Sequence, residues 1–183
     1  MKKFDILIQN ILLKENPILV DKPLSISLNK KSTNKSVVNK SLEEGNMLNS
    51  FEGREVYKIV NQNLLYFCFI KNNIADAYAE FSIDDNGETN NGTVLQRKSE
   101  DTKGFLKRAF LNYFPNIFPS ITLDYMANKQ GKEFFRKLLN ESKKKGFKTI
   151  IINQITKEET PYEEDEFEQY WGSYNLVFKI YFQ

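Results

Sequence analysis

Histidine is absent from this 183-residue chain, and that omission decides much of the chemistry open to it. Ser-His-Asp and Cys-His nucleophile systems are excluded, as are the usual zinc sites. Acid–base work falls to Asp, Glu, Tyr, Lys, a water or the substrate itself. Asp124 and Tyr125 are the candidate catalytic pair: Asp124 lies on the polar parity of a strand-like run and suits a general base, and Tyr125 suits a proton donor. A buried or water-bridged strand carboxylate is the equal alternative for Asp124, and tyrosines this numerous mostly serve packing. Tyr78 is a further donor candidate. Lys103-Gly104 stands at the start of a helical pattern, where a glycine permits close backbone approach to an anion. A plain helix start with a surface lysine reads the same way. Cys68, the only cysteine, sits inside LLYFCFI and reads as an inert core thiol. It excludes an intramolecular disulfide and points to a reducing, cytoplasmic setting.

The elements that would position these residues centre on Ser120 to Ile155. Ile121, Leu123, Tyr125 and Ala127 alternate with Thr122, Asp124 and Met126, the period of a strand. From Asn128 the period changes: Gly131, Phe134, Phe135, Leu138, Leu139 and Ser142 recur at spacings of three and four, one face of a helix. Asn128 can cap its start, Lys143 to Lys145 complement its dipole, and Gly146 can stop it in the left-handed conformation. Phe147 to Ile155 is a nearly continuous apolar run, as in a strand covered on both faces.

Upstream, Val56–Val60, Leu64–Ile70 and Ile74–Ile83 read as strands. The second and third are joined through Lys71-Asn72-Asn73 as a hairpin. Asp84–Gly92 reads as a longer turn and Thr93–Lys98 as a further strand. Ser99–Lys103 then forms a polar loop, and Gly104–Phe114 a helix capped by Asp101 or Thr102 and ended by Pro115. After Ile155 an acidic segment reads as a loop with a short helix near Glu163–Trp171, and Tyr174–Phe182 as a closing strand. The order predicts an α/β fold: a three-layer mixed sheet, an antiparallel hairpin followed by β-α-β units.

Phe4–Leu13 and Pro17–Val20 are apolar patches suited to strands or a short helix. MKKFDILIQNILL begins like a signal peptide, but Asp5, Gln9 and Asn10 interrupt it and no cleavage site follows, so it reads as ordinary structure. Leu28–Gly45 is polar and mildly basic and reads as a solvated linker. The chain thus divides into an N-terminal segment with polar linker, residues 1–50, and a domain over residues 51–183. No run approaches the roughly 20 apolar residues of a membrane span. A formal charge of +2 is too small to imply nucleic acid, and the Lys30–Lys40 tract has no interleaved aromatic for stacking. The weight of Asn, Lys and Ile suits an AT-rich genome, such as a phage's.

From Val56 to Phe182 this succession resembles the Gcn5-related N-acetyltransferase (GNAT) superfamily. The best match is Asn128-Lys-Gln-Gly131-Lys-Glu-Phe134-Phe135 followed by Gly146-Phe147, similar to the family's Asn-x-x-Ala/Gly-x-x-aromatic pattern with a Gly-Phe after the helix. The resemblance implies an acyl-CoA-dependent N-acyltransferase that acts on an amine of a small molecule or protein, with acetyl-CoA as donor. It implies that Thr93–Lys98 and Ser120–Ala127 are splayed strands admitting the pantetheine. Ser99–Phe105 would be the pyrophosphate loop, and Leu95, Arg97, Lys103, Gly104, Phe105 and Asn128 the cofactor-binding residues. The chain departs from the family's Gln/Arg-x-x-Gly-x-Gly/Ala loop. With Gly104 as the first glycine, Asp101 and Leu106 fill the other places; with Gly104 as the last, Ser99 and Thr102 do. Phe135 stands where many members carry a proton-donating tyrosine. These departures define the alternative: a GNAT-fold protein without catalysis that serves as a binding or assembly module.

Overall fold

The structure is a computed structural model that describes residues 27–123, 129–173 and 175–182. The expected elements at Phe4–Leu13 and Pro17–Val20, the strand continuation over 124–127 and the Asn128 cap lie outside the described residues.

Among the described residues, nine strands form one mixed, open sheet, making the chain an α/β protein. Strands β1 (Asn46–Phe51), β2 (Arg54–Asn61), β3 (Leu64–Lys71), β4 (Ile74–Ile83) and β5 (Thr89–Gln96) follow one another antiparallel. Strand β6 (Ser120–Leu123) joins β5 in parallel. Then come β9 (Leu176–Tyr181), β7 (Lys148–Asn153) and β8 (Glu159–Pro161), each antiparallel to its neighbour. The expected hairpin forms as predicted, with Asn72 and Asn73 both at positive φ (53° and 57°) in its turn, a conformation asparagine tolerates better than most residues.

Successive residues of β3 face opposite sides of the sheet, so its nearly continuous apolar sequence supplies two cores. Leu65, Phe67 and Phe69 join the larger core with helix α2 (Phe105–Asn112) and helix α3 (Lys129–Lys144). There Phe81 meets Phe114 and Phe118 at ring-centroid distances of 4.8 and 4.9 Å. Tyr66, Cys68 and Ile70 face the other side, against Val37 and Val38 of helix α1 (Lys31–Glu44). A fourth helix, α4 (Phe167–Tyr170), lies in the acidic segment.

Helix α1 corrects the reading of Leu28–Gly45 as a solvated linker. Its buried positions, Asn34, Val37, Val38 and Ser41, have helical spacing, but two of the four are polar and the stripe is invisible to a hydropathy pattern. Both polar residues are satisfied. Asn34 Nδ2 donates to the carbonyls of Leu28 and Ala75, and its Oδ1 accepts from the Ala75 N–H, at 2.9, 2.8 and 3.0 Å. Ser41 Oγ donates to the Val37 carbonyl at 2.8 Å.

Three smaller corrections concern strands. β1 was not expected, because its side chains are almost all exposed and give no periodic signal. β5 begins at Thr89, inside the supposed Asp84–Gly92 turn, which contracts to residues 84–88. Residues 159–161, read as loop, pair with β7 as the edge strand β8. The strand-helix-strand unit also has a feature that its local sequence does not carry. β6 and β7 are both antiparallel to β9, which lies between them. Helix α3 ends in the expected way: Gly146, at φ 84°, donates to the Lys143 carbonyl and Phe147 N–H to that of Ser142, a Schellman stop.

Candidate functional site

Among the described residues, the parallel strands β5 and β6 pair at Asn90 with Thr122 and at Asn91 with Leu123. A bulge lies at this point of β5. On the other side of β5, Asn91 pairs with Phe81 and Val94 with Ala79, so Gly92 and Thr93 together oppose Glu80. An extra residue of this kind bends its strand and sharpens the twist. From Gly92 to Gln96 β5 is only half-buried. Both strands run their carboxyl ends the same way, and a helix follows each. In open α/β sheets, ligands bind outside such ends, where neighbouring connections diverge.

The segment from β5 to α2 is held in place at both ends. Ser99 and Thr102 form a capping box around a single 3-10 turn, Glu100–Thr102. The fully buried Thr102 hydroxyl also contacts the carbonyls of Arg97 and Ser99. Asp101 and Thr102, expected to cap the helix, do not; Gly104 takes the N-cap position at φ 66° with no side-chain cap. Helix geometry leaves the N–H groups of Phe105, Leu106 and Lys107 without an intrahelical acceptor, and Gln96 Oε1 accepts that of Leu106 at 2.9 Å.

Beneath the loop lies a buried charge cluster. Asp76, 1% exposed, accepts from Arg54 Nε at 2.8 Å and from Arg97 Nε at 2.8 Å. Arg54, 3% exposed, donates to the Asp101 carbonyl at 2.8 Å, and its guanidinium stacks 4.3 Å from the Phe105 ring centre. The Asp101 carboxylate meets Lys71 Nζ at 3.0 Å and Arg54 Nη2 at 3.2 Å. The Lys71 hydrogen bond and both cations hold its carboxyl below the usual range. Its negative charge is therefore answered locally. A second bulge explains the depth of Asp76: Phe69 pairs with Ala77 but Ile70 with Ala75, which leaves Asp76 as the extra residue.

At the bulge of β5, Glu80 lies against Gly92, and the Tyr78 hydroxyl stands 3.3 Å from Glu80 Oε2. Burial, the dominant cause, raises the Glu80 carboxyl above its ordinary range, although the Tyr78 hydrogen bond opposes it. Burial also pushes the Tyr78 phenol well up, assisted by the Glu80 charge. Asn91, which pairs with Leu123, is 2% exposed; its Nδ2 donates to the Glu80 carbonyl, and its Oδ1 is buried with no hydrogen-bond partner.

Among the predicted site residues, Lys103, Gly104 and Phe105 come together at the loop, with Lys103 and Gly104 exposed and Phe105 wholly buried. Leu95 and Arg97 lie on β5 and just beyond it; Leu95 packs against the α1-side core, and Arg97 is tied to Asp76. Asp124, Tyr125 and Asn128 lie outside the described residues. Phe135 is 3% exposed, packed on Phe134 and Trp171. Cys68 is buried, and burial pushes its thiol up to about 12. Sequence reasoning missed Glu80 and Asn91. The signal for Glu80 was a carboxylate in an apolar strand facing a glycine on the next; Asn91 appeared to belong to a turn. No helix of the described residues is long and apolar enough to cross a membrane. The chain matches no protein-family model and none of the curated proteins compared with it.

Proposed function

We propose that the chain is a divergent GNAT-fold, acyl-CoA-dependent N-acyltransferase acting on an amine acceptor. One observation carries the reading: the strand order, in which the parallel pair of β5 and β6 is followed by β9 inserted between β6 and β7, with a bulge in β5 and a positive-φ glycine loop and helix N-terminus beyond it. The GNAT resemblance implies a splayed pair at β5 and β6, and this order is compatible with it.

The available groups suit a CoA thioester. Phe105 and Lys107 offer backbone N–H groups to a diphosphate at the positive end of the α2 dipole. Lys98 and Lys103 add charge near them, and Asp101 is neutralised by Lys71 and Arg54. The orphan Asn91 Oδ1 offers an acceptor for an amide N–H of the pantetheine. In this reading Glu80 is the base. The acceptor nitrogen attacks the thioester carbonyl, the C–N bond forms, Glu80 takes the amine proton, and the C–S bond breaks to release CoA thiolate. A raised carboxyl suits this task near neutral pH. Asp124 and Tyr125 are the rival base and donor.

A second reading, a GNAT-fold binding or assembly module without catalysis, is favoured by Phe135, which packs in the core and cannot donate a proton, and by Gln96 taking one helix-terminal donor. Calorimetric titration with acetyl-CoA, followed by an assay for released thiol against a panel of amines, separates the two. Micromolar binding that weakens at least tenfold in Lys103→Glu supports the enzyme. Absence of binding at millimolar CoA overturns it and leaves the module.

A further inference from the structure

Helix α1 and the β3–β4 turn enclose a groove of about 570 Å³ on the sheet face that carries Tyr66 and Cys68. Its size lies within the range of small-ligand sites. Leu28, Val38, Leu42 and Ile74 supply its apolar surface, and Leu42 and Ile74 remain 50% and 40% exposed. Lys31, Lys35 and Arg97 line it as well, and among the described residues no acidic one does. Lys31 and Lys35 form no ion pair with a described residue. Arg97 uses Nε and Nη2 on Asp76, which leaves Nη1 for another acceptor. The floor is fixed, because Asn34 clamps α1 to both backbone groups of Ala75.

We propose that this groove binds a small anionic amphiphile, a free carboxylate with an aliphatic body. The body would cover Leu28, Val38, Leu42 and Ile74, and the head group would meet Lys31, Lys35 and Arg97. Charge selects this occupant over the chain's own first 26 residues, which carry Lys2, Lys3, Lys14 and Lys22 against Asp5, Glu15 and Asp21. A cationic segment is the wrong partner for a cationic rim. The groove borrows Arg97 from the end of β5, but the proposal does not depend on the acyl-transfer reading.

Titration of the full chain with decanoate, read by NMR shifts of α1 and β4 amides, tests the proposal. Saturable binding is expected, at least tenfold weaker for decanol and for the double variant Lys31→Glu/Lys35→Glu. Both lysines are exposed, and circular dichroism checks that the variant keeps its helix content. Leu42→Asn, on the exposed helix edge, should weaken decanoate severalfold while leaving the charge unchanged. Equal affinity for decanol, or an unchanged double variant, overturns the proposal. So does a chain that ignores decanoate while its groove amides resist hydrogen exchange. In that case the groove is filled by residues 1–26 if protection is independent of protein concentration, or by a second copy if it rises with concentration. Binding of an acidic peptide without binding of decanoate overturns it in favour of a protein partner.

Discussion

The Glu80 carboxylate occupies the space that a side chain at position 92 would need: a Cβ on Gly92 would lie 2.8 Å from Glu80 Oε1. The glycine and the acid are thus one feature, at the bulge of β5. Gly92→Ala should displace Glu80 rather than unfold the chain, because the contact is with the end of a flexible side chain. Acyl transfer should fall about tenfold or more, with acetyl-CoA affinity nearly unchanged. Equal kcat in Gly92→Ala would sever the link between the bulge and the base.

Glu80→Gln should lower kcat by roughly 10²–10⁴ and remove the acidic limb of the pH–rate profile. Asp124→Asn is the control, and a larger loss there assigns the base to Asp124. Stability moves the other way. Since the folded-state pKa of Glu80 is raised, the carboxyl favours the fold fully at low pH, and that share is lost as pH rises through the raised value. Thermal melts should therefore show Glu80→Gln above wild type on the alkaline side of that value and level with it well below the ordinary Glu range.

Two aspartates contact Arg54, and they should behave differently. Asp76→Ala leaves two guanidinium groups without their shared partner, one of them buried, and should cost about 3–5 kcal/mol. The Asp101 side chain is exposed, and solvent screening should leave Asp101→Ala with a far smaller effect than Asp76→Ala. Denaturant titrations of the two variants, with a double-mutant cycle through Arg54, measure the contrast.

Asn34→Leu should test the identity of α1 as an integral helix. Leu28 and Ala75 would lose acceptors or donors in a buried setting, at about 2–3 kcal/mol in all. Hydrogen exchange at Ala75 should accelerate. An unaltered Ala75 amide would mean that α1 does not rest on β4.

Cys68 should resist thiol reagents in the folded protein and react fully in denaturant. A thiol pushed up to about 12 has almost no thiolate at neutral pH, and thiolate is the reactive form. Rapid native-state labelling at alkaline pH would show that the face covered by α1 opens.

Elements whose periodicity came from apolar side chains were plain in the sequence: β3, β4, α3 and its Gly146 stop. Elements built on polar burial were not. Asn34 and Ser41 look like linker residues until their hydrogen bonds are seen, and Asn91 looks like turn chemistry until it is found paired with Leu123 of β6. β1 and β8 are edge strands, exposed along most of their length, so their existence depends on a partner supplied from elsewhere in the chain. At the candidate site, the glycine and lysine of the loop could be read from residue types. The ion pairs that tie Asp76 and Asp101 to Arg54 could not, since 22 and 47 residues separate the partners. The depth of Asp76 also depends on a bulge that breaks the parity of its strand.

The place of β9 has a consequence for how the molecule is assembled. It is the last strand in order, yet it lies between β6 and β7, both of which are synthesised before it. Until it enters, β7 and β8 can form only an isolated hairpin, marginal by itself, and β6 has a neighbour on one side alone. The five antiparallel strands upstream rely mainly on local pairings and can form early. Completion therefore waits on a single late insertion, and a nascent chain halted before Leu176 would display two unsatisfied strand edges to any chaperone or neighbouring chain that meets it.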